Sequence, residues 1–315
     1  MKKIIQVIQP DDAPMHLTWI INNICTNACS YCPENLHNGT NHNYDWENAR
    51  EFFKLLFNKY SNIHCSVAGG EPSVSPFFKE IVKTFHDKGH TIGITSNAAK
   101  PVDFWSDVSQ YLTYICFSYH SEFPDPKFIE KVTAAGMNCP VTVRVMMLPS
   151  NWDHCLEIYD KLYNNRYVRV EPVRIQNWSG RNTEAHKYTD KQLEWFIKES
   201  SGSTTKSLSH IKRNIKTANI SADFKFNDGS IEYATNAVEY INSGLTNFNG
   251  YQCEVGLKSL FIDHEGYILL GNCGIDGPIG NINDPNNVKW PEGPVLCSKN
   301  LCHCTTDVNI NKILK

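Results

Sequence analysis

Cys25-Thr-Asn-Ala-Cys29-Ser-Tyr-Cys32 is the stretch on which the reading of this chain turns. It follows an apolar, strand-like segment, His16 to Ile21, so three thiols leave a strand end on one short loop. Thiolates are the soft ligands that iron–sulfur clusters and zinc select. A cubane held by three cysteines keeps one iron without a protein ligand, and a substrate or cofactor can bind there. A plain zinc knuckle pairs two Cys-x2-Cys units. Here one such unit, Cys29 with Cys32, is joined by Cys25.

A second signal lies one βα unit further on. Ile63 to Ala68 reads as a strand and runs into Ala68-Gly69-Gly70-Glu71-Pro72. Glycines there let the backbone approach a ligand closely. With Tyr31 as the aromatic before Cys32, the loop resembles the Cys-x3-Cys-x-aromatic-Cys signature of the radical SAM superfamily. The Gly-Gly-Glu-Pro turn is similar to that family's second motif. The resemblance implies a [4Fe–4S] cluster on Cys25, Cys29 and Cys32, whose open iron chelates the amino and carboxylate groups of S-adenosylmethionine (SAM). It implies reductive cleavage of SAM to a 5′-deoxyadenosyl radical, with a flavodoxin- or ferredoxin-type electron donor. Backbone groups at Gly69 and Gly70 would bind the methionine ammonium, Glu71 would shape the edge, and Tyr31 would lie beside the cluster and the adenine.

Composition agrees with an enzyme. The chain has 315 residues, 41% hydrophobic and 20% charged, enough for one large core and a smaller appended unit. A net charge of −3 gives no basic excess for nucleic-acid phosphates. Lys206, Lys212, Arg213 and Lys216 read as a solvated face. No apolar run reaches membrane-spanning length, so no membrane partner is expected. The start has a lysine pair but an apolar stretch interrupted at Gln6, a poor signal peptide. Twelve cysteines without an export signal point to metal or redox chemistry in a reducing, cytoplasmic compartment.

Six strand-like runs alternate with amphipathic helices: His16–Ile21, Ile63–Val67, Thr91–Thr95, Tyr114–Phe117, Val141–Met147 and Val168–Ile175. Phe52, Leu55, Leu56 and Tyr60 would share one helical face, and Cys155, Ile158, Tyr159 and Leu162 another. Ser75-Pro76 predicts an N-cap and first helical residue. Thr189 with Gln192 predicts a capping box. Alternation of this kind predicts an α/β fold with a parallel sheet. The resemblance makes it a partial (β/α)6 TIM-like barrel over residues 1–200, with chemistry at the carboxyl ends of the strands. Residues 201–250 form a connecting segment, with a hairpin predicted at Phe224–Phe226 and Ile231–Tyr233 around Asn-Asp-Gly, and a short helix in Ala234–Asn242.

Residues 251–315 carry the second cysteine group: Cys253, Cys273, Cys297, Cys302 and Cys304. A hairpin turning at Asp263 to Gly266 would bring Cys253 towards Cys273, and the tail cysteines would close the cage. This resembles the SPASM or twitch region of radical SAM enzymes and implies one auxiliary [4Fe–4S] cluster. Five thiols exceed four ligand positions, so one is spare. A structural zinc is the alternative.

Strand-end polar residues complete the expected site. Ser96 and Asn97 end the third barrel strand, Ser118 and His120 the fourth, and Glu171, Arg174, Gln176 and Trp178 surround the sixth. Arg144, inside an apolar strand, needs a charged partner. The family's pattern implies Ser118 and Arg144 for SAM; a structural carboxylate is the other partner open to Arg144. His120 is expected to contact substrate or move a proton, with Glu171 and Arg174 beside it. Cys155 and Cys139 read as core. Cys65 or Cys116 could face the cavity, where a thiol could donate a hydrogen atom in a radical epimerase.

The expected function is an oxidoreductase-like radical SAM enzyme acting on a C–H bond of a small polar metabolite or sugar-like substrate, by oxidation or epimerisation. That preference rests on the roughly fifteen residues before the first barrel strand, too few for a peptide-recognition module. The alternative is a peptide- or protein-modifying maturase. A non-catalytic electron carrier is the rival of another class, and it has no need of the Gly-Gly-Glu-Pro turn.

Overall fold

Strand and helix alternate because apolar residues recur with period two in one kind of segment and near 3.6 in the other. The computed structural model describes residues 2–40, 42–175, 186–201, 221–234 and 237–314. Along the first part of the chain run β1 (Ile4–Ile8), β2 (Met15–Ile20), α1 (Trp46–Lys59), β3 (Ile63–Ala68), α2 (Phe78–Asp87), β4 (Thr91–Ser96) and α3 (Val102–Val108). Then come β5 (Tyr114–His120), α4 (Phe128–Gly136), β6 (Val141–Met146), α5 (Trp152–Tyr163), β7 (Arg169–Val173) and α6 (Asp190–Ser201). The remainder holds β8 (Ala222–Phe226), β9 (Ile231–Ala234), α7 (Val238–Asn242), β10 (Tyr251–Cys253), β11 (Ser259–Ile262), β12 (Tyr267–Leu270), β13 (Ile275–Asn281), β14 (Val295–Leu296), α8 (Thr305–Val308) and β15 (Lys312–Leu314).

β2 to β7 lie side by side in chain order, every pair parallel. The hairpin β11–β12 extends this sheet, because β11 pairs parallel with β2, and β13 forms its edge. One face of the parallel strands is sealed by helices. Trp19 packs on Phe53 of α1, Phe117 on Trp105 of α3, and Tyr119 on Phe128 of α4. Burying such rings contributes about 1.5–3 kcal/mol each relative to exposure. The alternate residues point the other way and are polar: His16, His64, Ser66, Thr91, Tyr114, Ser118, Arg144 and Glu171. This second face carries the candidate site.

The second sheet has the order β14-β10-β15-β1-β8-β9. Ile4–Ile8, a strand the sequence reading does not anticipate, pairs with both β8 and β15. The Asn-Asp-Gly hairpin forms as expected between β8 and β9, and so does the turn at Asp263–Gly266.

Local signals were honoured unevenly. Thr189 and Gln192 make the reciprocal capping bonds, Thr189 N to Gln192 Oε1 at 2.9 Å and Gln192 N to Thr189 Oγ1 at 3.3 Å. Ser75 does not cap α2. That helix starts at Phe78, and Ser75 is instead buried with its hydroxyl on the Tyr44 hydroxyl. On α1 the buried stripe is Ala49, Phe52, Phe53 and Leu56, while Leu55 is exposed. The stripe follows Trp19 and Phe85, both packed on Phe53, so the neighbours chose which apolar residue turned inward. Gln176, Trp178, Lys206, Lys212, Arg213 and Lys216 lie outside the described residues.

Candidate active site

The cysteine loop leaves β2 at the carboxyl end of the parallel sheet, and β3 ends beside it. Gly70 N donates to Asn22 O at 2.9 Å and Glu71 N to Ile24 O at 2.7 Å. A Cβ on Gly69 would stand 2.4 Å from Asn22 O, and one on Gly70 would stand 2.3 Å from Ile24 O. The two glycines therefore answer a close backbone approach between two strand ends, one of which begins the cysteine loop. Gly69 also has φ of 147°, a conformation that side-chain-bearing residues rarely adopt.

Glu71 is fully buried and faces protein donors. Its Oε1 accepts from Ser73 N at 2.9 Å, Ser73 Oγ at 2.6 Å and Ser96 Oγ at 2.8 Å, and its Oε2 from Asn97 N at 2.6 Å. Burial pushes its pKa up, and these four hydrogen bonds oppose the shift. Glu71 and Ser96, both expected at the cofactor, thus bind each other and tie the end of β3 to the end of β4. Asn97 reaches the loop: its Nδ2 donates to Thr26 Oγ1 at 3.0 Å and to Cys25 Sγ at 3.5 Å. Its Oδ1 is buried and has no hydrogen-bond partner.

The three thiols are free, Cys29 buried and Cys25 and Cys32 half-buried. Burial pushes the Cys29 thiol up to about 12, and the nearby Cys25 and Cys32 add to the shift. Three thiols gathered in one loop, costly to ionise alone, form a donor set suited to a multiply charged metal cluster. Among the described residues, no three His, Cys, Asp or Glu side chains are gathered as a single metal ion would need. The buried, unpartnered Asn97 Oδ1 beside the loop fits a site that receives a ligand donor.

Two side chains that sequence reasoning passed over fasten the loop to β5 and its surroundings. Glu122 accepts from Ser30 N at 2.9 Å and from Ser30 Oγ at 2.6 Å. His186 meets the edge of Tyr31 with ring centres 5.9 Å apart. Tyr31 itself stacks on His120, hydroxyl to Nδ1 at 2.7 Å. Glu122 lies two residues beyond the expected His120, so only position marked it. Nothing local distinguishes His186.

Along the polar face, register sets Ser118 opposite Arg144 and Arg144 opposite Glu171. Arg144 Nε lies 3.5 Å from Glu171 Oε2, and Arg169 takes the other oxygen at 3.0 Å. The carboxylate partner left open for Arg144 is therefore present, although the guanidinium is half exposed. Cys116 is on this face, and its thiol feels both Arg144 and Glu171 after burial, which raises its pKa. Cys65 turns to the helices and is fully buried. Arg174 is exposed over the Tyr188 ring, 5.3 Å from its centre. Deeper in the sheet, His16 and His64 lie edge to face. Burial holds His16 down at about 4 and His64 at about 3.

In the second cysteine group, burial pushes the Cys273 and Cys302 thiols up, and neighbouring thiols add to both shifts. Cys273 feels Cys253 and Cys297, and Cys302 feels Cys253 and Cys273. Cys304 stands at the N-cap position of α8 without a side-chain cap bond, and burial, with Asp307 nearby, pushes its thiol up.

Structures of known proteins share this architecture. SuiB of Streptococcus suis bound to its precursor peptide SuiA is 12% identical with a TM-score of 0.53, over 86% of this chain and 63% of that one. SuiB bound to S-adenosylmethionine is 13% identical with a TM-score of 0.54, over 86% and 64%. Native anSMEcpe with AdoMet and the Cp18Cys peptide is 14% identical with a TM-score of 0.51, over 86% and 78%. At such identities the likeness shows the fold, and this chain spans less than two thirds of the length of SuiB. No curated protein sequence matches the chain. Residues 19–121 match the Radical SAM superfamily model. That segment, about a third of the chain, holds both the cysteine loop and the Gly-Gly-Glu-Pro turn, and over it the chain is similar to the radical SAM superfamily.

Proposed function

We propose that this protein is a radical SAM enzyme that modifies a peptide or protein substrate. The observation that carries the reading is the cysteine loop at the carboxyl end of the parallel sheet, tied through Asn97 to the end of β4 and through Tyr31 to His120 at the end of β5, the strand that begins the polar row Ser118, Arg144 and Glu171. Cys25, Cys29 and Cys32 would hold a [4Fe–4S] cluster, which would supply one-electron reduction of SAM for hydrogen abstraction from the substrate. The chain's own residues receive the cofactor. Asn97 Oδ1, buried and unpartnered, would accept from a SAM donor, and Arg144 and Ser118 would bind its carboxylate. His120, neutral because burial holds it at about 4, hydrogen-bonds without carrying charge. Cys116, on the same face, is our candidate to give a hydrogen atom to a substrate radical, its thiyl radical then taking one electron and one proton through the flavodoxin- or ferredoxin-type donor. Glu171 orients Arg144.

The peptide assignment takes precedence over the small polar metabolite expected from the sequence. SuiB and anSMEcpe, whose fold this chain shares, are described with bound peptides. Among the residues before β2, Ile4–Ile8 form a strand of the second sheet. We assign Cys253, Cys273, Cys297 and Cys302 to one auxiliary [4Fe–4S] cluster, within an auxiliary region over residues 251–315. The electron donor is of flavodoxin or ferredoxin type. Among the described residues no helix is long and apolar enough to cross a membrane.

Anaerobically reconstituted protein, given SAM and a reductant, should form 5′-deoxyadenosine. The Cys25, Cys29 and Cys32 to alanine triple variant should form none and lose about four irons. Equal cleavage by the variant would reject the site. Peptide and metabolite mass spectrometry of cells with and without the gene decides the substrate class: a mass change confined to small metabolites would overturn the peptide assignment.

A further inference from the structure

The last strand sets a buried lysine against the second cysteine group. Lys312 is 3% exposed. It opens β15, directly across from Cys253 of β10. Its Nζ donates to the carbonyls of Ile310 at 2.9 Å and Val308 at 3.2 Å, and to that of Asp307. Three acceptors use all three N–H groups of an ammonium. Phe248 lies beneath it, 5.0 Å from Nζ to the ring centre.

A buried charge is expensive unless an opposite charge stands near. Asp307 is buried too and feels Lys312, but its carboxylate is already engaged by Ser259 Oγ on Oδ1 at 2.9 Å and Cys273 N on Oδ2 at 3.0 Å, and it meets the ammonium through its backbone carbonyl. One carboxylate and one ammonium thus leave the thiolates of the group, among the described residues, without a counter-charge of their own other than Lys312. Residues directly opposite in an antiparallel pair project to the same face, so Lys312 and Cys253 share one side of the sheet. A four-thiolate cluster is an anion, and reduction adds a further negative charge in a medium of low dielectric constant. A fixed cation one strand away stabilises the reduced state more than the oxidised one.

We infer that Lys312 is the counter-charge of the auxiliary cluster and raises its reduction potential. It acts through the thiolates, so it is a positioning residue. The inference rests on the proposed auxiliary cluster at Cys253, Cys273, Cys297 and Cys302.

The test is a spectroelectrochemical titration of the reconstituted full chain carrying Cys25, Cys29 and Cys32 to alanine, so that only the second cluster remains. Lys312→Met should keep about four irons. Its potential should fall so that the reduced fraction at a fixed applied potential drops at least tenfold, which is about 59 mV for one electron. Lys312→Arg keeps the charge and should keep the parent potential. Should Lys312→Met shed iron while Lys312→Arg holds it at the parent potential, the charge is what retains the cluster, and the inference stands. An unchanged potential in Lys312→Met overturns it, as does loss of iron in both variants, which marks a packing role. If the parent itself binds no iron, or binds zinc, the auxiliary cluster reading has failed, a result separable from an unmoved potential.

Discussion

The Tyr31 hydroxyl lies 2.7 Å from His120 Nδ1, and the two rings stack with centres 5.9 Å apart. One contact thus joins the cysteine loop to the end of β5. The same hydroxyl neighbours the Cys29 thiol and helps to lower its pKa against burial. Hydrogen-bond partners behind metal ligands commonly govern affinity or activity by about 10–100-fold. Tyr31→Phe should therefore lose iron faster under chelator challenge, or cleave SAM more slowly, by a factor in that range. Wild-type iron retention together with a wild-type rate would reduce Tyr31 to a packing residue.

Gly70→Ala should damage the cysteine loop from outside it. The added methyl would meet Ile24 O at 2.3 Å, and that atom is main chain, already accepting from Glu71 N. Overpacking of this kind costs about 1–3 kcal/mol. A lower melting temperature with reduced iron incorporation is expected. Normal incorporation at normal stability would show that the two strand ends can separate freely.

Arg144→Ala separates its two partners. If it binds the SAM carboxylate, a lost charge-assisted hydrogen bond worth about 1.5–3 kcal/mol weakens SAM binding by roughly 10- to 100-fold, with iron content unchanged. Equilibrium dialysis with labelled SAM checks this. Unaltered affinity with lower stability would make the Glu171 pair the whole of its role.

Cys304→Ser should leave iron content unchanged, whereas Cys253, Cys273, Cys297 and Cys302 to serine should each lower it. Cys273 feels Cys253 and Cys297 and Cys302 feels Cys253 and Cys273, while Cys304 stands at the N-cap position of α8. Iron and sulfide analysis of the five single variants reads the answer directly; dependence on Cys304 would move the ligand set.

Acid should weaken the fold through His16 and His64. Both are held well below the ordinary 6.5, at about 4 and about 3, by burial. Between 6.5 and those values the unfolded chain binds more protons. Their contribution is complete above pH 6.5 and lost as pH falls, by up to about 1.4 kcal/mol per unit for each group. Glu71, raised by burial, has the opposite slope. The difference between wild type and His16→Phe therefore isolates the histidine. Urea unfolding from pH 7.5 to 5 should show a shallower decline in the variant, and parallel curves would count against the assignment.

The alternation of strands and helices, the cysteine loop and the hairpin between Cys253 and Cys273 were legible in the sequence, because each is a local pattern of period, spacing or turn chemistry. Others were decided only in three dimensions. Ile4–Ile8 is a strand because β8 and β15 arrive beside it from more than two hundred residues away. Glu71 is an internal anchor because Ser96 and Asn97 come to it from the next strand. Arg144 meets Glu171 by register between β6 and β7. Lys312 stands against Cys253 because two distant segments pair antiparallel. Residue type and spacing named the chemistry; contact between segments remote in sequence, which no local pattern encodes, assigned each polar side chain its partner.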